Sequence, residues 1–224
     1  MKQFVVIGLG SFGETIAKAL YDLGCQVLAI DYNKDRVQAV KDEVSQALVM
    51  DVRDREAISS LPIQSSDLAV ISLGDEMEVS ILATLYLREM GLNNIMVKAV
   101  SEDHGKILKL IGASEIIFPE KQMAMRLAER LAYPSLLDFV TLADGFSMAE
   151  LLPMESFYGK NLIQLDIRRK FNLEIVAIKH TVTEKDGSKS EKIKCIPSAD
   201  YTIAHGDILL IIGEDKYIEK YRKM

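Results

Sequence analysis

The sequence predicts an α/β chain: a Rossmann-like, doubly wound parallel sheet followed by a second, smaller α+β domain. Three observations carry this. Short, wholly apolar runs alternate with longer amphipathic stretches through residues 4–118. A glycine pattern, Gly8-Leu9-Gly10-Ser11-Phe12-Gly13, sits between the first run and the first stretch, and the rhythm changes after Pro119. A strand that is apolar throughout is buried on both faces, as in a parallel sheet between two helical layers. Right-handed crossovers then wind such a sheet outward in both directions.

In order, Phe4-Val5-Val6-Ile7 reads as the first strand and Phe12 to Leu23 as its helix. Val27-Leu28-Ala29-Ile30 is the second strand, with a helix around Asp35 to Glu43. A third strand lies near Ala47 to Met50, before a helix from Arg53 towards Leu61. Leu68 to Leu73 and Ile95 to Ala99 are strands, each followed by a helix, Met77 to Met90 and Glu102 to Ile111. Glu115 to Phe118 is a sixth short strand. The helix at 120–132 carries Met123, Leu127 and Leu131 along one face and is broken by Tyr133-Pro134-Ser135. These residues form an expected first domain, 1–134.

The expected second domain is 137–224. It opens strand-like from Phe139, continues with a helix near Leu162 to Phe171, and then a strand from Glu174 to Lys179. A polar stretch with Asp186-Gly187 as its turn separates that strand from Ile193 to Ile196, which predicts a hairpin. Asp207 to Gly213 is the last strand, with a short helix after it.

Composition narrows the function classes. Of 224 residues, 49% are hydrophobic and 7% aromatic, with no Trp, which suits a core of Val, Ile, Leu and Ala. The formal charge of −6 argues against a nucleic-acid binder and a polybasic membrane anchor. Cys25 and Cys195 match no metal or redox spacing and are expected as reduced, buried thiols. No segment reaches the roughly 18 apolar residues of a membrane span, and no signal peptide is evident. The expectation is a soluble cytoplasmic protein, held elsewhere only by a partner.

The glycine pattern is informative because of its context. It follows a strand, opens a helix, and precedes Asp31 by about 18 residues at the end of the second strand. Gly8 permits the tight turn, Gly10 lets backbone approach a phosphate, and Gly13 permits close helix–strand packing. Ser11 and Phe12 open the helix, whose free N–H groups and positive dipole end favour an anion. Asp31, with Tyr32 beside it, is placed to accept from ribose hydroxyls and to repel a 2′-phosphate. Asp51-Val52 ends the third strand, where an adenine ring lies in such folds, and Gly74-Asp75 ends the fourth beside the switch point. Lys98, inside an apolar strand, needs a partner, which a phosphate or Glu120 supplies. His104, His180 and His205 form no set with Asp or Cys at the strand ends, and no proton donor for hydride transfer is evident. That favours sensing over dehydrogenase chemistry.

The first strand and glycine loop, the run Val27 to Asp31, and the segment Ile111-Gly112-Ala113-Ser114-Glu115-Ile116-Ile117-Phe118-Pro119-Glu120-Lys121 resemble the RCK proteins (regulators of potassium conductance). The resemblance is to the KtrA-type, TrkA-related subunits of bacterial potassium uptake systems. It extends through Gly145-Phe146-Ser147-Met148-Ala149-Glu150 and His205-Gly206-Asp207. It implies a homodimer formed through the helix at 120–132, an octameric cytosolic ring, and docking on a membrane potassium-translocating subunit of the KtrB or TrkH type. It implies ATP or ADP in the first domain, with NAD or NADH as the alternative. Gly10, Asp31, Asp51, Lys98 and Glu120 then hold the ligand, and Glu120 reaches the terminal phosphate, or a cation on it such as Mg²⁺, across the dimer interface. Several members carry Arg after the second glycine; Ser11 stands here, which leaves the nucleotide open.

The resemblance also implies cyclic di-AMP at the dimer interface of the second domain, at Leu162, Ile163, Asp166 and Arg168, with Pro197 on the facing strand. Two other readings stay open: an NAD-dependent oxidoreductase, and a free-standing nucleotide sensor.

Overall fold

The computed structural model describes all residues except 64–65, 75, 134, 184–188 and 224. The chain divides into two units, Met1–Gln122 and Met123–Met224. In the first, β1 (Gln3–Ile7), β2 (Gln26–Asp31), β3 (Gln46–Val49), β4 (Leu68–Ile71), β5 (Ile95–Lys98) and β6 (Glu115–Ile117) form one parallel sheet, ordered β3-β2-β1-β4-β5-β6. The order reverses between β1 and β4, so the switch point falls at the glycine pattern.

The four central strands, β2, β1, β4 and β5, are buried on both sides. Val5, Ile7, Ile30, Ile71 and Val97 belong to one cluster, with Ile58 of α3 (Arg55–Ser59), Leu87 of α4 (Met77–Glu89) and Leu108 of α5 (Glu102–Ile111). Val6, Ala29 and Val70 belong to the other, with Ala17 of α1 (Ser11–Asp22) and Val37 of α2 (Lys34–Val40). Side chains alternate across a strand, so neighbours Val5 and Val6 serve opposite faces. Caps set the helix starts. Asn33 accepts from the Asp35 and Arg36 amides, Asp54 from those of Glu56 and Ala57, and Ser101 from that of His104.

The last helix of this series, α6 (Pro119–Ala132), contains the division between the units. Its Met123 and Leu131 are 64% and 71% exposed among the described residues, and within the second unit Met123 and Leu127 line a cleft with Leu137 and Phe139.

In the second unit, β7 (Leu136–Ala143), β8 (Phe146–Leu151), β9 (Leu173–Thr183), β10 (Lys189–Cys195) and β11 (Asp207–Glu214) make an antiparallel sheet ordered β10-β9-β11-β8-β7. The expected hairpin is the β9–β10 pair; its Asp186-Gly187 turn lies outside the described residues, as do Asp75 and Pro134. The closing helix α9 (Asp215–Arg222) sets the Arg222 guanidinium 4.0 Å from the Tyr133 ring centre.

Two expectations are corrected. The helix at Leu162 to Phe171 is two short helices, α7 (Leu162–Leu165) and α8 (Ile167–Phe171), hinged at Asp166 in the left-handed region with φ +46°. Leu165 and Ile167 are both buried in the same core, and residues two apart on one straight helix would point about 200° apart. The cysteines are free, but only Cys25 is partly buried; Cys195, on the edge strand β10, is exposed. No helix among the described residues is long and apolar enough to cross a membrane.

Candidate functional site

A parallel sheet brings the carboxyl ends of its strands to one edge. The residues singled out in the first unit lie along that edge in strand order. Asp51 follows β3, Asp31 ends β2, the glycine loop follows β1, Gly74 follows β4, Lys98 ends β5, and Glu120 stands in the first turn of α6 beyond β6. The loop is therefore central, with carboxylates on one side and the Lys98–Glu120 pair on the other.

The three motif glycines stand in different surroundings. Gly8 has φ +91°, and a Cβ there would stand 2.3 Å from the Ser72 carbonyl oxygen. A Cβ on Gly13 would stand 1.9 Å from the Gly8 carbonyl oxygen. Both are packing glycines. Gly10 differs: its φ of −67° suits any residue, and a Cβ would meet nothing within 4 Å. It leaves open space in front of the N-terminus of α1, which no side chain caps. Unsatisfied amides, a positive dipole end and an open cradle fit an anionic phosphate.

Asp31 is buried, and its carboxylate is already engaged. Oδ2 accepts from the Leu9 amide at 2.6 Å, Oδ1 accepts from the Asn33 amide at 2.8 Å, and the Arg36 guanidinium lies 3.5 Å from Oδ2. The residue expected to meet a ribose also braces the glycine loop. With 2% of its side chain exposed, the carboxylate offers a ribose hydroxyl little open surface, and Oδ1, which takes only the Asn33 amide, is the oxygen with a lone pair to spare.

Asp51 has a partner that the sequence reading missed. Arg53 Nε donates to Oδ1 at 2.9 Å and Nη2 to Oδ2 at 2.6 Å, a fork that holds the Asp51 carboxyl below its usual range. The sequence signal was present: Asp and Arg two apart at a strand end. Asp31, Tyr32, Asp51, Val52 and Arg53 line one cleft with Ile30, Leu73 and Glu76. The cleft is narrow, about 10 Å³, with apolar walls from Ile30, Val52 and Leu73 beneath a polar rim.

Beyond the loop, Glu120 is the partner that Lys98 takes of the two left open. Lys98 Nζ donates to Glu120 Oε1, and that ammonium holds the Glu120 carboxyl below its usual range. Lys98 Nζ also lies 5.9 Å from the Phe12 ring centre in the first turn of α1. Lys98, Glu120, Ser101 and Lys121 line a cavity of about 460 Å³. Among the described residues no group of three or more His, Cys, Asp or Glu is placed to hold a metal by itself.

His104 is a core residue. It is fully buried; Nδ1 accepts from the Val100 amide at 3.3 Å, so Nε2 donates to Ser80 Oγ at 2.8 Å, and burial lowers its pKa.

A family model for the TrkA-N domain matches residues 4–119, and one for the TrkA-C domain matches residues 148–224. Ktr system potassium uptake protein C of Bacillus subtilis is 35% identical over 222 residues, covering 99% of this chain and 96% of that protein. The chain belongs to the RCK family. Within that family it is similar also to Ktr system potassium uptake protein A of Vibrio alginolyticus, 34% identical over 224 residues, or 100% of this chain and 98% of that one. The crystal structure of the GsuK RCK domain shares the fold, with TM-score 0.64 and 16% identity over 99% of this chain and 47% of that one. So does the GsuK channel bound to NAD, with TM-score 0.60 and 16% identity over 96% of this chain and 38% of that one.

In the second unit of this RCK chain, Leu162, Ile163, Asp166, Arg168 and Pro197 line one cleft with Ile167, Glu174 and Ala199. Arg168 Nε there pairs with Glu174 at 3.2 Å. The same unit contains a His/Asp pair that the sequence reading did not find. The buried Asp207 carboxylate accepts from His180 Nδ1 at 2.7 Å, the Tyr201 hydroxyl at 3.1 Å and the Ala204 amide at 2.9 Å. Burial, then the Asp207 charge, raises the Tyr201 pKa. His180 and Asp207 meet across β9 and β11, a pairing no local spacing announces.

Proposed function

We propose that this chain is a nucleotide-binding regulatory subunit of a bacterial potassium uptake system, acting on a membrane potassium-translocating partner and carrying out no catalysis of its own. The observation that carries the nucleotide reading is Gly10. Neither its backbone angles nor its packing requires a glycine, and the space it leaves lies before the uncapped end of α1. Family membership and near full-length similarity to Ktr potassium uptake proteins support the transport role.

In this reading residues 1–134 hold the nucleotide and 137–224 form a regulatory module. The adenosine lies over Asp31, Tyr32, Asp51 and Val52. The phosphates lie over Gly8, Gly10, Ser11, Phe12 and Gly13, near Gly74, with Lys98 and Glu120 at their far end. The nucleotide is ATP or ADP, with NAD as the alternative because Ser11 offers no charge to select a triphosphate. Glu120 carries a negative charge, so its approach to a triphosphate needs a bridging cation such as Mg²⁺.

The exposed apolar face of α6 pairs two chains, and dimers assemble into an octameric ring at the inner face of the membrane. Work is done by differential nucleotide affinity for two ring states. A second ligand, cyclic di-AMP, would bind at the dimer interface of the second domain, over Leu162, Ile163, Asp166, Arg168 and Pro197, where a cationic side chain stands beside apolar ones.

The test is to isolate the chain with its native partners from membranes and identify what accompanies it. A potassium-translocating membrane protein and about one adenine nucleotide per chain are expected. Recovery with no membrane protein, or NAD-linked turnover of a small substrate, would contradict the reading.

A further inference from the structure

The positive charge nearest the phosphate cradle is already committed. Lys98 Nζ pairs with Glu120, yet stands 5.9 Å from the Phe12 ring at the start of α1. Its side chain is only 14% exposed, so the surroundings hold its stem close to the cradle. Glu120 is the reverse, 71% exposed and free to return to water. An ion pair with one such solvated member is weakly held. A diphosphate or triphosphate on the cradle offers Lys98 more negative charge than one carboxylate does.

We propose that Lys98 exchanges partners: the nucleotide's phosphates take its ammonium from Glu120, and the released carboxylate reports occupancy at the first turn of α6. This deepens the nucleotide reading and rests on it. Ser11 gives the exchange its importance, since the first residue of α1 supplies no cation of its own. The released Glu120 is then available to a cation, and it sits on the helix that carries the exposed Met123, Leu127 and Leu131. Without nucleotide, Lys98 neutralises that carboxylate and leaves it no net charge to offer.

The exchange makes Glu120 a competitor of nucleotide when divalent cations are absent. Calorimetric titration of the full chain with ADP in EDTA tests this, with adenosine as a probe that lacks phosphates. Glu120→Gln is expected to bind ADP about threefold to tenfold more tightly than wild type, because the competing acceptor is gone. Lys98→Met is expected to bind it about tenfold more weakly, the scale of one charged hydrogen bond. Adenosine affinity should be the same in all three proteins. In the Lys98→Met background, Glu120→Gln should lose most of its effect; an equal gain in both backgrounds means plain charge repulsion and overturns the exchange. If Lys98→Met does not fold, Lys98→Gln takes its place in the same comparison, and in any background with Lys98 present unchanged or weakened ADP binding by Glu120→Gln overturns the exchange. Wild-type protein that binds none of ADP, ATP or NAD removes the nucleotide reading and the exchange together.

Discussion

Replacing Gly10 by alanine separates folding from binding. The Ala Cβ enters open space, and φ −67° suits alanine, so stiffening the unfolded chain contributes about 0.4–1 kcal/mol in favour of folding. Gly10 is also the N-cap of α1, where alanine is disfavoured by roughly 0.5–1 kcal/mol. The two terms nearly cancel. With about 2–4 °C of melting temperature per kcal/mol in a chain of this size, the expected shift is within about 2 °C. The same methyl group occupies the space a phosphate needs, so ADP binding should fall at least tenfold, or about 1.4 kcal/mol. Gly13→Ala is the contrast: its Cβ would overlap the Gly8 carbonyl oxygen at 1.9 Å, so the loop or helix must shift. A cost of about 3 kcal/mol and a fall of roughly 6–12 °C are expected. Thermal melts without ligand and calorimetry with ADP supply both numbers. Gly10→Ala protein that melts like wild type and binds ADP equally well would refute the cradle.

Further perturbations probe other parts of the account. Asp31→Ala should weaken adenine nucleotides by about 1–3 kcal/mol in calorimetry and also lower the melting temperature, because the Leu9 amide loses its acceptor. Burial holds the His104 pKa below its ordinary 6.5, so below that pH the unfolded chain binds a proton that the native one does not. Its stabilisation is complete above pH 6.5 and declines as pH falls through and below it, by up to about 1.4 kcal/mol per unit, a slope that urea melts should find absent in His104→Gln. Leu127→Asp on the exposed face of α6 should weaken self-association by about 2 kcal/mol or more, roughly thirtyfold in Kd, by light scattering with and without nucleotide.

What could be read from the sequence was what local spacing determines. Gly8, Gly13 and Asp31 belong to one strand–turn–helix–strand unit, so their placement followed from a single short motif. The apolar face of α6 followed from helical periodicity. Contacts between separate elements were less legible. Lys98 and Glu120 lie 22 residues apart, and the choice between Glu120 and a phosphate as partner depended on β6 lying beside β5. The Leu9–Asp31 bond depends on β1 lying beside β2, and the Asp207 cluster on the antiparallel pairing of β9 with β11. The break at Asp166 arises because Leu165 and Ile167 share one core, a tertiary demand that outweighs helix continuity. Cys195 was expected inside because free cysteines usually are; its edge strand places it outside.

The central claim is that nucleotide in the Gly10 cradle governs potassium flux through a membrane partner. Rubidium uptake tests it in cells lacking other potassium uptake systems and carrying the partner with wild-type chain, Gly10→Ala chain or no chain. The account predicts robust uptake with wild type, and uptake reduced to near the no-chain level with Gly10→Ala protein that still assembles. Gly10→Ala uptake equal to that of wild type would contradict it.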